Sequence, residues 1–347
     1  MDPSAFLTQI HQMPDVLDRL AARWERGEAG QPDGIPGLAE ASRVLDTSSP
    51  VWIAGMGSSA YAAQTVARHA QGQGLCVVAV AASARELPPP GTGTLVAVSA
   101  TGESQEVLRA VEPWAGSGRL IAVTDVPSSS LAQRADAVVQ LCGGDNPSGT
   151  SVTNFRTTLL VLTALLRHLG FSTPVPFDVA AREAAGRLRD LLDSHGRWVD
   201  PLTDLLRGPD GCRILAPAER ESSARQGALM IREIPRRPAE GSETGEWSHV
   251  DLYLARTQDY RALIFTGSPW DAHAVEWLRR RRARFAAVGS PLEGAETVLP
   301  LSAGDGSWLV GALTETVVPE LLAASWWQED PEFQWADPPP AVVRDGL

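Results

Sequence analysis

Lysine is absent: all 30 basic residues of the chain are arginine. Imine formation with a carbonyl needs a neutral side-chain amine, and guanidinium stays protonated, so that chemistry has no residue to carry it. Cysteine is scarce, with only Cys76, Cys142 and Cys212 far apart in the sequence. Three dispersed thiols build neither a disulfide framework nor a zinc site, and they read as small core residues in a reducing compartment. No apolar run reaches the ~18 residues that span a bilayer, since Leu159 to Leu166 ends at Arg167 and His168. The opening Met1-Asp2-Pro3-Ser4 places an acid where a secretory signal carries basic residues. A cytoplasmic location without a membrane partner is expected. Positive charge is in deficit, with a net charge of -12 that repels nucleic-acid phosphates. The one dense basic run, Arg279 to Arg282, lacks interleaved aromatics and reads as the solvated end of a helix.

What is present is ordinary globular material, 347 residues with 44% hydrophobic and 21% charged positions, enough for two cores. Short apolar runs alternate with helical patterns in both halves, which predicts parallel sheets covered by helices. Strands are expected at Val51 to Ala54, Cys76 to Ala81, Leu95 to Ser99, Leu120 to Thr124 and Ala137 to Leu141. Helices are expected near Ala60 to Ala70, Ser104 to Trp114, Ser129 to Arg134 and Thr157 to His168. In the second half the strands fall at Arg213 to Ala216, Ala262 to Thr266, Arg284 to Val288 and Thr297 to Leu301. Helices fall near Ser222 to Ile234, Trp270 to Arg280 and Ser307 to Trp327.

Two turns carry the first functional signal. Gly55-Met56-Gly57-Ser58-Ser59-Ala60 follows a buried strand and opens a helix, leaving backbone N–H groups and two hydroxyls at a positive helix terminus. Ser99-Ala100-Thr101-Gly102-Glu103-Ser104 repeats the arrangement after the third strand, with three hydroxyls around one glycine. Both lie at carboxyl ends of strands, where open parallel sheets bind ligands. Gly55, Gly57 and Ala60 also fit a loose dinucleotide fingerprint. Cys76 to Ala82, however, contains no carboxylate to hold a ribose, so no nucleotide cofactor is expected.

These turns, with Thr124-Asp125-Val126-Pro127-Ser128-Ser129-Ser130-Leu131 and the leading Ile10-His11-Gln12-Met13-Pro14, resemble the sugar isomerase (SIS) family, in particular the isomerase half of glucosamine-6-phosphate synthase. The resemblance implies an α/β fold of two tandem SIS domains, each a parallel sheet flanked by helices in a flavodoxin-like three-layer sandwich. It divides the chain into a helical segment at 1–50, a first SIS domain at 51–175, a connecting helix at 176–206, a second SIS domain at 207–330 and a C-terminal arm at 331–347. It implies that Gly57, Ser58, Ser59, Ser99, Ala100, Thr101 and Ser104 hold the phosphate of a sugar, with Ser151 and Arg344 as further substrate contacts. Ala100 replaces a family glutamine.

Ala228-Leu229-Met230-Ile231-Arg232-Glu233-Ile234 resembles the family's catalytic helix, where the glutamate carries a proton between C1 and C2. Gly245-Glu246-Trp247-Ser248-His249 resembles the segment whose histidine opens the sugar ring. A carboxylate and an imidazole suit aldose-ketose interconversion, which needs a base beside a carbonyl and an acid/base at the ring oxygen. Without the likeness, Glu233 reads as a salt-bridged helix residue beside Arg232, and His249 as a partly buried histidine. In close relatives the histidine reaches into the neighbouring subunit's site, so a homodimer is implied.

Departures narrow the chemistry. Arg344 aligns with the family's imine-forming lysine, Met230 and Asn154 stand where the family has lysines, and Gln226 where it has a glutamate. No N-terminal nucleophilic cysteine begins the chain, so glutamine hydrolysis by the synthase's route is not expected. Arg156 is close enough in sequence to Asn154 to offer charge to an enediolate. The expectation is a metal-free, cofactor-free isomerase of a hexose or aminohexose 6-phosphate. An amino-sugar phosphate deaminase and a non-catalytic phosphosugar sensor are the alternatives.

Overall fold

The structure, a computed structural model, describes residues 3–28, 34–144, 146, 148, 150, 152–301 and 307–329. Two helices, α1 (Pro3–Glu28) and α2 (Leu38–Val44), lead into a first α/β layer. It comprises β1 (Val51–Gly55), α3 (Gly57–Gly72), β2 (Val77–Ala81), β3 (Thr94–Val98), α4 (Gln105–Val111), β4 (Leu120–Thr124), β5 (Ala137–Gln140) and α5 (Asn154–Leu166). Helices α6 (Phe177–Ser194) and α7 (Val199–Leu206) lead to the second layer. That layer comprises β6 (Cys212–Ala216), α8 (Glu221–Glu233), β7 (Ala239–Glu243), α9 (Thr244–Trp247), β8 (Arg261–Phe265), α10 (Asp271–Arg280), β9 (Arg284–Val288), β10 (Thr297–Leu299), α11 (Trp308–Thr314) and α12 (Val317–Glu329).

Each sheet has five strands, all parallel, in the orders β2-β1-β3-β4-β5 and β10-β9-β8-β6-β7. The second order, read from its other edge, is β7-β6-β8-β9-β10. Both are thus the flavodoxin-type 2-1-3-4-5 arrangement, with one switch point between the first and third strands. Strands β3 and β4 are buried along their whole length, as near-continuous apolar runs require when helices cover both faces.

All 13 residues of α5 are buried, which explains the run from Leu159 to Leu166 as a core helix. Arg156 goes inside with it and must be neutralised there. It donates to both oxygens of Glu320 on α12, each at 2.9 Å, and its Nε donates to the Leu313 carbonyl at 2.8 Å. That ion pair ties the first layer to the second. Helices α1 and α6 pack antiparallel, marked by Arg182 to Glu25 at one end and Arg189 to Asp15 and Asp18 at the other.

Several expectations change in detail. The connecting helix is two helices, broken at His195–Arg197 around Gly196, and the last helix is α11 and α12, broken beside Glu315. Pro319 accounts for the second break, because its ring cannot coexist with a helical carbonyl four residues earlier. Ser129 to Arg134 holds only a 3-10 turn at Ala132–Arg134. Of the cysteines only Cys212 is in the core, where burial pushes its thiol up to about 12; Cys76 is exposed just before edge strand β2, and Cys142 is half-buried. Among the described residues no helix is long and apolar enough to cross a membrane. The C-terminal arm, with Arg344, and Ser151 lie outside the described residues.

Candidate active site

The two hydroxyl-bearing turns flank the switch point of the first sheet, one leaving β1 and the other leaving β3. At the first, Gly57 takes φ +50°, and Met56 occupies the N-cap without a side-chain oxygen. The start of α3 therefore has no side-chain cap; the Ser59 amide donates to the Met56 carbonyl at 3.1 Å, with half-buried Ser58 and Ser59 side chains beside the turn. At the second, buried Ser99 accepts from the Gly102 amide at 3.1 Å and shares a hydrogen bond with the Ser104 hydroxyl at 3.1 Å. Thr101 Oγ1 accepts from the Glu103 amide at 3.2 Å. Gly102 has φ +69°, and a Cβ there would come within 2.0 Å of Ser129 Oγ, so the turn admits only glycine. The Ala100 carbonyl is occupied by the Thr124 hydroxyl and the Asp125 amide.

The switch point of the second sheet is filled by the chain itself. Arg220 donates to both oxygens of Glu315 and to the Thr266 carbonyl. The Asp271 carboxylate accepts from the amides of Gly267 and Ser268 at 2.7 and 3.2 Å. An anion seat occupied by an internal carboxylate is not open to a phosphate, which leaves the first sheet as the candidate edge.

Glu233 reaches that edge through helix packing. Helix α8 runs antiparallel to α3: Ser222 meets Thr65 at 2.6 Å, Arg225 meets Gln64 at 3.1 Å, and Leu229 lies 4.0 Å from where a Gly57 Cβ would be. Glu233 follows Leu229 by about one further turn, ~5.4 Å, beyond the start of α3 where the first hydroxyl-bearing turn lies. It forms no ion pair among the described residues, against the salt-bridged alternative. Its carboxylate is reachable by solvent but crowded by protein, and this loss of hydration raises its pKa above the ordinary carboxylate value. Met230 and Gln226 precede it on α8 and are buried, the Gln226 amide without a partner among the described residues.

His249 lies elsewhere in the same chain. The Glu243 carboxylate accepts from the amides of Gly245 and Glu246 at 2.8 and 2.7 Å, starting α9 at the carboxyl end of β7. Buried Trp247 anchors the turn by donating to the Tyr260 hydroxyl at 2.6 Å. His249 itself is exposed. Since α8 connects β6 to the start of β7, Glu233 is at one end of that five-residue strand and His249 beyond the other. The strand alone separates the two ends by about 13 Å. One chain does not bring the pair together.

Arg156 is not available to an enediolate, being locked in the core on Glu320. Asn154 instead donates from Nδ2 to Asp125 Oδ2 at 2.6 Å, and the Gly143 amide donates to Oδ1 at 2.9 Å. Asp125 was not singled out from sequence, because an aspartate before Val-Pro reads as a turn residue and its partner is 29 positions away. No cluster of three or more His, Cys, Asp or Glu side chains that could hold a metal occurs among the described residues.

The SIS domain family matches residues 46–167, a span containing both turns. A relative from Aeropyrum pernix, a glutamine--fructose-6-phosphate aminotransferase [isomerizing], is 28% identical over 283 residues, covering 73% of this chain and 42% of its own length. The chain thus spans less than half of that relative. Among solved structures, the C-terminal domain of a glucosamine-fructose-6-phosphate aminotransferase from Francisella tularensis superposes with a TM-score of 0.75 at 16% identity, covering 93% of this chain and 95% of its own. The tagatose-6-phosphate ketose/aldose isomerase of Escherichia coli gives 0.73 at 16% identity, covering 94% and 92%. At such identities the structural likeness shows the fold. Residues 46–167, with two hydroxyl-lined turns at the switch point of a 2-1-3-4-5 parallel sheet, are thus the part of the chain that matches the SIS-domain family.

Proposed function

We infer that the protein is a phosphosugar isomerase interconverting an aldose and a ketose of the hexose or aminohexose 6-phosphate type. The observation that carries this reading is the approach of α8 to the first-sheet edge, one turn of helix beyond the contact between Leu229 and Gly57. In this reading the phosphate rests on Gly57, Ser58, Ser59, Ser99, Ala100, Thr101 and Ser104, and residues 207–330 form a second SIS domain. The two halves have the same strand order, which supports a duplicated fold.

His249 opens the sugar ring by moving a proton at the ring oxygen. Glu233 then removes the proton from the carbon beside the carbonyl, giving a cis-enediolate, and returns it to the neighbouring carbon. A carboxyl held above its ordinary value is a stronger base than a solvated one, which suits this transfer. Because Glu233 and His249 of one chain lie at opposite ends of β7, the complete site takes His249 from a second copy, and the working form is a homodimer. Incubation with fructose 6-phosphate in deuterated water tests the reaction. Deuterium at C1 is expected, and no exchange with any of several hexose and aminohexose phosphates would defeat the isomerase reading.

Buried, uncharged Gln226 and Met230 beside Glu233 favour a second reading, a phosphosugar sensor. Its signature is thermal stabilisation by a phosphosugar that persists in Glu233→Gln, with no turnover in the parent. Ammonia release from glucosamine 6-phosphate would instead identify a deaminase.

A further inference from the structure

We propose that Asp125 is a specificity-determining residue of the candidate site, its carboxylate receiving an ammonium group carried by the sugar, so that an amino sugar phosphate is preferred to its hydroxyl counterpart. This rests on the phosphosugar reading and narrows its substrate class. Asp125 follows β4, the strand next to the one that carries the second phosphate turn. Its amide donates to the Ala100 carbonyl in that turn at 3.0 Å. Adjacent strands are ~4.8 Å apart, so the Asp125 backbone stands one strand from the Ser99 turn and two from Gly57, with its carboxylate turned toward Gly143 and Asn154, a spacing within the span of a phosphorylated hexose.

The side chain is held, not merely placed. Gly143 and Asn154 fix one oxygen each, and Thr153 Oγ1 braces both partners by donating to the Gly143 carbonyl at 2.9 Å and lying 3.3 Å from Asn154 Oδ1. Gly143 must be glycine, because a Cβ would sit 2.7 Å from Asn154 Oδ1 and 2.9 Å from Asp125 Oδ2. Cys142, just before it, takes φ +56°, a conformation seldom adopted by a residue with a side chain. Backbone strain and a close-fitting amide partner serve one orientation of one carboxylate.

The charge is left for a ligand. Both fixed donors are neutral, and no cation pairs with Asp125 among the described residues. Each carboxylate oxygen accepts one hydrogen bond and keeps a second lone pair. The group is half-buried, and lost hydration raises its pKa above the ordinary value. An unneutralised, partly desolvated carboxylate gains most from a partner of opposite charge. Gly143, Gly144 and Thr153 also line a cleft of about 410 Å³ against Gln9, Gln12, Asp15, Val16 and Arg19 of α1, so the loops that hold Asp125 border open space.

The test compares glucosamine 6-phosphate with glucose 6-phosphate by titration calorimetry at pH 7, on the full chain. The parent should bind the amino sugar about 10-fold or more tightly. Asp125→Asn should bring the two affinities within about threefold by weakening only the amino sugar, since an Asn154 amide flip preserves the pairing. The exchange variant D125N/N154D, which keeps the hydrogen-bonded pair and returns the charge, should recover part of the preference. Equal affinities in the parent, or a preference that survives in D125N, would overturn the assignment while leaving the phosphosugar reading intact. Binding of neither sugar phosphate by the parent would overturn both.

Discussion

Glu233 combines two properties that oppose each other. Its folded-state pKa is raised by lost hydration, so the charged carboxylate destabilises the native fold at neutral pH. That penalty is present above the raised folded value and absent below the unfolded value of about 4.3. Glu233→Gln should therefore raise the melting temperature at pH 7 to 8, and the gain should vanish when melts are repeated near pH 4. A gain that is independent of pH would contradict the cause given for the shift. The same substitution should lower the exchange rate about 10² to 10⁴-fold. In the parent, the rate should climb with pH as the carboxyl ionises, with the midpoint above the ordinary carboxylate range.

Among the helices, α5 shows what a fully buried element demands. Its leucines fill the core, and Arg156 is accepted only because Glu320 meets it with two hydrogen bonds. Glu320→Ala should cost about 3–5 kcal/mol in urea denaturation by stranding the guanidinium, whereas replacing the pair together by Met and Leu should be nearly neutral. Equal losses in the single and double variants would show that packing, not charge, dominates at this junction.

The strands with continuous apolar runs, such as Leu120–Thr124, were legible because both faces are buried. Strand β7 was not, since Ala-Glu-Gly-Ser-Glu has neither alternation nor an apolar run and forms an edge by backbone pairing with β6. Its omission hides the separation of Glu233 from His249, which only the completed topology reveals. The two hydroxyl-lined turns were legible as turns at strand ends from their glycines and hydroxyls. The Asp125–Asn154 pair was not, because distant residues meet there through folding.

At the scale of the molecule, five of the six exposed large apolar side chains among the described residues, all but Val179, lie by the first-sheet edge or the His249 segment. Met56 and Val126 border the first-sheet edge at 36% and 39% exposure, while Val250, Tyr253 and Trp270 surround the His249 segment at 56%, 70% and 56%. Trp270 packs on Gly245, where a Cβ would lie 2.9 Å from its ring. Such clustering fits surfaces that bury one another between copies. The most direct measurement mixes two inactive variants, Glu233→Gln and His249→Ala, unfolded and refolded together. Random pairing makes half the dimers mixed, each with one intact site, so about a quarter of the parent's exchange activity should return. No recovery, with both variants refolded and dimeric, would contradict a site shared between two subunits.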